Sequence, residues 1–75
     1  MEYDYKFLTK ALRTKLILSQ EELAKILNVS FASVNRWETG KNSPTIKAKR
    51  KIVELCIQYG IMHADDKGSI YYEHE

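Results

Sequence analysis

The chain has 75 residues, with 12 Lys and Arg against 10 Asp and Glu, 44% hydrophobic content, one Cys, one Pro and three Gly. That length holds one small domain, and such a domain buries only about 60% of its unfolded surface, so its core must be efficient or helped by a partner. The mixed, fairly apolar composition excludes a disordered chain or a linker, and no apolar run approaches the roughly 20 residues of a membrane span. Met1-Glu2-Tyr3-Asp4 does not open like a signal peptide, and the lone Cys56 leaves no internal disulfide framework. A soluble, cytoplasmic, single-domain protein is expected.

In chain order, the first helix is predicted over about 5–16, with Asp4 as N-cap and Leu8, Leu12 and Leu16 at i, i+4 and i+8. Ile17 and Leu18 form a connection. Ser19-Gln20-Glu21-Glu22 then fits a capping box, in which the Ser19 hydroxyl accepts from the Glu22 amide and the Glu22 carboxylate accepts from the Ser19 amide. It opens a second helix over about 20–27, with Leu23, Ala24 and Leu27 inward. Asn28 follows where a left-handed residue is often needed, and Ser30 caps a third helix over about 31–39 that stops at Gly40. Ser43-Pro44 reads as a cap followed by Pro in the first turn of a fourth helix, ending near Tyr59-Gly60.

Residues 60–75 read differently. Ile61-Met62 and Ile70-Tyr71-Tyr72 around Asp65-Asp66-Lys67-Gly68 can make a short hairpin or a frayed tail, and the reading leans to the tail. The charge is uneven too. Residues 1–59 carry 11 basic and 6 acidic side chains, whereas 60–75 carry Lys67 against Asp65, Asp66, Glu73 and Glu75. Between 36 and 51 six basic residues face only Glu38. Such a block is either a solvated face or the footprint of a polyanion.

The second and third helices are joined by three residues, Asn28-Val29-Ser30, which gives a crossing of roughly 90–120° between them. Leu23, Leu27, Val29, Val34 and Trp37 supply its apolar positions, and Ala24 is small where the helices must approach. With Leu12-Arg13, Leu18 to Ala24, Val29-Ser30, Val34 to Lys41 and Pro44, the chain resembles the Cro/phage-repressor (XRE) type of helix-turn-helix over about 5–59. It departs in Asn28 for the usual Gly, in a long fourth helix, and in showing no separate fifth. The resemblance implies an all-α, compact four-to-five-helix bundle of lambda-repressor-like type with a short C-terminal tail. Residues 1–59 form the domain, about 19–39 the motif and about 31–39 the recognition helix; 60–75 form an acidic tail or hairpin with a role in dimerisation.

By that resemblance the recognition helix lies in the major groove of double-stranded DNA. With Ser30, Val34 and Trp37 turned to the core, Ala32, Asn35 and Arg36 face outward. Family base-contacting positions fall on Phe31, Ala32, Ser33 and Arg36. Arg36 pairs well with guanine, Phe31 and Ala32 with a thymine methyl. The alternatives are a hydrophobic staple for Phe31 and a phosphate contact for Arg36. Gln20, Asn35, Lys41, Asn42, Ser43 and Lys47 are expected at phosphates, and Arg13 and Glu38 as a structural ion pair. Lys49, Arg50 and Lys51 serve either that surface or solubility.

On the fourth helix Ala48, Ile52, Leu55, Cys56 and Tyr59 make one apolar face and Ile46, Val53 and Ile57 a second, which can pack on the 60–75 segment, on a further domain or on another subunit, a homodimer being favoured. Catalytic readings are poor. Cys56 lacks a nucleophile's companions, His63 and His74 lack metal-site spacing, and Asp65-Asp66-Lys67-Gly68 has too few ligands for calcium. No enzyme, cofactor, metal, membrane or small-molecule ligand is expected. The function implied is sequence-specific DNA binding by a nucleoid-associated prokaryotic or phage regulator of repressor type. The alternatives are the DNA-targeting N-terminal domain of a larger protein, such as a modification enzyme, or a protein-interaction module that has kept the fold.

Overall fold

The computed structural model describes residues 3–68 and 70–72. Four helices follow one another, α1 (Tyr5–Leu16), α2 (Gln20–Leu27), α3 (Phe31–Thr39) and α4 (Ile46–Gln58), and then two strands, β1 (Met62–Ala64) and β2 (Ile70–Tyr72). No fifth helix forms among the described residues.

Each helix begins on a side-chain cap. Asp4 accepts from the Phe7 amide, Ser30 from Ser33, and Ser19 and Glu22 close both halves of the capping box at 3.0 and 2.8 Å. These bonds satisfy amides that the first turn of a helix leaves without a partner. For α4 the expected Ser43-Pro44 start is corrected: Thr45 is the cap, its hydroxyl accepting from Ala48 at 3.3 Å. Pro44 is buried ahead of that cap, in the same cleft wall as Trp37, so tertiary packing moves the start downstream.

All four helices also end alike, on a left-handed residue flanked by two backbone bonds that absorb terminal carbonyls. The pattern runs Leu18 to Arg13, Val29 to Ala24, Lys41 to Arg36 and Ile61 to Cys56, each amide reaching five residues back at 2.8–2.9 Å. The left-handed residues are Ile17, Asn28, Gly40 and Gly60, with φ of 55, 57, 79 and 78°. Asn and Gly adopt this conformation readily, whereas a β-branched side chain there is strained. Ile17 is therefore the anomaly, and it is 89% exposed, with no burial to offset the strain.

The core joins Leu8 and Leu12 of α1, Leu23, Ala24 and Leu27 of α2, Val34 and Trp37 of α3, and Ala48, Ile52, Leu55 and Cys56 of α4. Helix α1 packs on both α3 and α4, and α2 on α3, so α3 is gripped from two sides. Burial pushes the Cys56 thiol up to about 12, which keeps it protonated and inert in the core. Two expected core residues lie outside. Tyr59 sits just past the last turn of α4 and is 38% exposed, and Ser30 is exposed because its hydroxyl is spent on capping α3.

The stretch after α4 is a hairpin rather than the favoured tail. β1 and β2 pair antiparallel, with His63 opposite Tyr71 and Ala64 opposite Ile70. Asp65 holds the turn by accepting from the Lys67 amide on its side chain and from Gly68 on its carbonyl. Met62, 1% exposed, plugs the hairpin onto the core, and Ile70 packs at its edge. Glu73, His74 and Glu75, named above for charge or metal spacing, lie outside the described residues.

Candidate nucleic-acid interface

Three loci converge around α3. The first is its own outward face. Val34 and Trp37 are buried, which by helical geometry turns Ala32, Asn35 and Arg36 to solvent; all three are exposed. Phe31, at the helix start, is 51% exposed. The Ser33 hydroxyl is half-buried and shares a 2.9 Å hydrogen bond with that of Ser30. Phe31, Ala32, Ser33 and Arg36 thus lie together on one helix, with the small Ala32 leaving room for a close approach.

The second locus is a polar chain of hydrogen bonds behind that face. Glu38 is 3% exposed. Its two oxygens accept from Arg13 Nε and a terminal Arg13 nitrogen, both at 2.7 Å, a two-pronged charge-assisted pair tying α1 to α3. Arg13 also donates to the Leu18 carbonyl, and Gln20 Nε2 donates to Glu38 Oε1 at 3.0 Å. Burial pushes the Glu38 carboxyl up, but the bonds from Arg13 and Gln20 outweigh it, aided by the charges of Arg13 and Lys10, and hold it below the usual range. The Arg13 guanidinium is correspondingly pushed up by its bond to Glu38. Asn35 Nδ2 completes the chain by donating to Gln20 Oε1 at 3.3 Å. Gln20 and Asn35, expected separately at phosphates, are here bonded to each other.

The third locus is the loop after α3. The Arg36 carbonyl accepts from the amides of Lys41 and Asn42, which fixes the chain direction just past Gly40. Lys41, Asn42 and Ser43 are exposed and line an open cleft of about 350 Å³ together with Lys6 and Tyr3. Lys6 was not singled out from the sequence, yet its Nζ lies 4.0 Å from the point where a Cβ on Gly40 would sit. A signal was present: Lys6, Lys10 and Arg13 fall at i, i+4 and i+7, one face of α1. The cation also suits the negative end of the α3 dipole.

Lys47 stands apart from this group. It lines a different cleft, between the C-terminal end of α2 and α4, with Ile26, Leu27, Asn28, Arg50, Lys51 and Glu54. Lys49 is turned elsewhere as well, with its ammonium 5.1 Å from the centroid of the Tyr5 ring. Of the expected dimer face, Ile46, 70% exposed, and the half-buried Val53 line one groove with Tyr3, Tyr5 and Ile70, while Ile57 is 39% exposed outside it. Among the described residues no helix is long and apolar enough to cross a membrane.

A family model described as Helix-turn-helix matches residues 10–56. No curated protein sequence matches the chain, and no solved structure matches it.

Proposed function

The chain belongs to the Cro/C1-type (XRE) helix-turn-helix family, a DNA-binding family, and on that premise we propose that it is a sequence-specific regulator of transcription, of repressor type. The observation that carries this reading is the outward face of α3. Ala32 and Arg36 are open to solvent while the helix beneath them is fixed by the pair of Arg13 with the buried Glu38. A rigid helix with a free, short-chained face and a cation fits the major groove, and readout belongs to Phe31, Ala32, Ser33 and Arg36.

Phosphates are contacted from both sides of that helix, by Gln20 on one and by Lys41, Asn42 and Ser43 on the other, with Lys47 adding positive charge from its neighbouring cleft. Contacts of this kind set the register and supply most of the affinity. The protein acts as a cytoplasmic, nucleoid-bound homodimer. Ile46 lines the groove that Val53 shares with the hairpin, Ile57 adds exposed apolar surface on α4, and two half-sites multiply affinity. The role requires no cofactor and no catalytic group.

The test is selection of bound duplexes from a random library by the native protein and by Arg36→Ala in parallel. The native protein enriches a short inverted repeat, and the variant relaxes it at one base pair per half-site. No enrichment at any salt concentration refutes DNA binding. Sedimentation as a monomer at high concentration, with direct rather than inverted sites enriched, refutes the symmetric dimer.

A further inference from the structure

We propose that Asn35 is a specificity-determining residue that reads adenine in the major groove, its amide oriented in advance by Gln20 from the buried Glu38. This rests on the DNA-binding reading above and deepens it: it gives Asn35 a base in place of the phosphate expected from sequence.

The argument is one of hydrogen-bond polarity passed along a chain. Glu38 is a buried carboxylate whose oxygens already take two bonds from Arg13. An ionised carboxylate only accepts, so any neutral amide meeting it must present its nitrogen. Gln20 does so, donating from Nε2 to Glu38 Oε1 at 3.0 Å. A carboxamide with its nitrogen committed inward carries its oxygen on the other side, and Gln20 Oε1 faces α3. That oxygen in turn demands a donor, which Asn35 supplies from Nδ2 at 3.3 Å. The orientation of the exposed Asn35 amide is therefore set two residues away, by a group that can only accept.

In this proposal the bond to Gln20 uses the N–H turned away from Oδ1, which leaves the other N–H and Oδ1 side by side. Adenine presents the complementary pair in the major groove, an acceptor at N7 and a donor at N6. Guanine offers two acceptors there and would leave Oδ1 opposed to another oxygen, and thymine offers an acceptor and a methyl. Cytosine offers a donor alone and would use half the amide. A phosphate has acceptors only, so it would engage the N–H while bringing an anion near Oδ1. Asn35 and Arg36 are both exposed on α3. Without the bond to Gln20 the amide turns over at little cost, and the preference would blur.

The experiment measures base preference, which a merely structural role would not move. A random-duplex selection is run with the native protein, Asn35→Ala and Gln20→Ala, and affinities are then measured on the best site and on its single-base variants. The native protein prefers adenine at one position per half-site by about tenfold. Asn35→Ala loses that preference alone, keeping the others and its thermal midpoint. Gln20→Ala, with Asn35 still present, weakens the preference at the same pair. Uniformly weaker binding by Asn35→Ala, with base preferences intact, makes Asn35 a phosphate contact and overturns the proposal. An unchanged preference in Gln20→Ala overturns the relay through Glu38. Failure of the native protein to enrich any duplex overturns the DNA-binding reading itself, and this inference with it.

Discussion

Glu38→Gln tests the polar chain at its root, because it removes one charge and keeps the shape. The carboxylate is 3% exposed and takes two bonds of 2.7 Å from Arg13 and one of 3.0 Å from Gln20. Breaking a buried pair from one side costs about 3–5 kcal/mol when the stranded charge stays buried. The Arg13 side chain is 30% exposed, so its guanidinium can recover water, which places the expected loss nearer 2 kcal/mol. For a domain this small, that lowers the thermal midpoint by about 8–16 °C.

The same reasoning fixes the pH dependence. The folded Glu38 carboxyl titrates below its unfolded value, so its contribution is complete above the unfolded value of about 4.3 and is lost as pH falls through the lower folded one. Urea unfolding followed by the fluorescence of the buried Trp37 should therefore show a gap between native and variant that is full at pH 7 and closes on acidification below about pH 4. Glu22, also held below its usual range by the bonds it makes with Ser19, titrates alike in both proteins and cancels from the gap. A gap of equal size at both ends of that range would refute a charge-based role for Glu38. No gap at all would mean that the pair contributes nothing.

Two further substitutions test the frame. Ile17→Gly removes a left-handed, solvent-exposed β-branched residue whose conformation costs about 1–2 kcal/mol, against about 0.5–1 kcal/mol of added unfolded-state freedom. The net gain of up to about 1.5 kcal/mol raises the thermal midpoint by up to about 12 °C, and a fall would show that the side chain packs favourably where it stands. Met62→Ala should cost about 2–4 kcal/mol and speed amide exchange in β1 and β2, since this residue anchors the hairpin. A loss under about 0.5 kcal/mol would detach the hairpin from the core.

The helices were legible where the chemistry of their ends is local. Asp4, Ser19 with Glu22, Ser30, Asn28 and Gly40 each state a start or a stop within four residues, and the structure uses all of them. Where two local signals compete, the neighbours decide. Ser43-Pro44 and Thr45 are both credible openings for α4, and burying Pro44 beside Trp37 settles the matter in a way no short window contains. Ile17 shows the converse, a turn imposed against propensity by the bonds of Ile17 and Leu18 to the end of α1. The hairpin was obscured because three-residue strands carry little periodicity, and its decisive feature is the burial of Met62 against α4.

The site divides along the same line. The outward face of α3 follows from which of its residues are apolar, and so can be read from a helical wheel. The bond from Gln20 to Glu38 cannot, since it spans 18 positions and depends on how α2 crosses α3. Nor can the placing of Lys6 beside Gly40, which depends on α1 lying against α3. Both act on the same helix from opposite sides. Gln20 fixes polarity at the middle of α3, and Lys6 brings positive charge to its end. Glu38 connects the two, because the pair that locks α1 to α3 also turns the amide of Gln20. A single buried carboxylate thus serves both fold and surface: it ties α1 to α3 and, through Gln20, sets the polarity of the amide that α3 exposes.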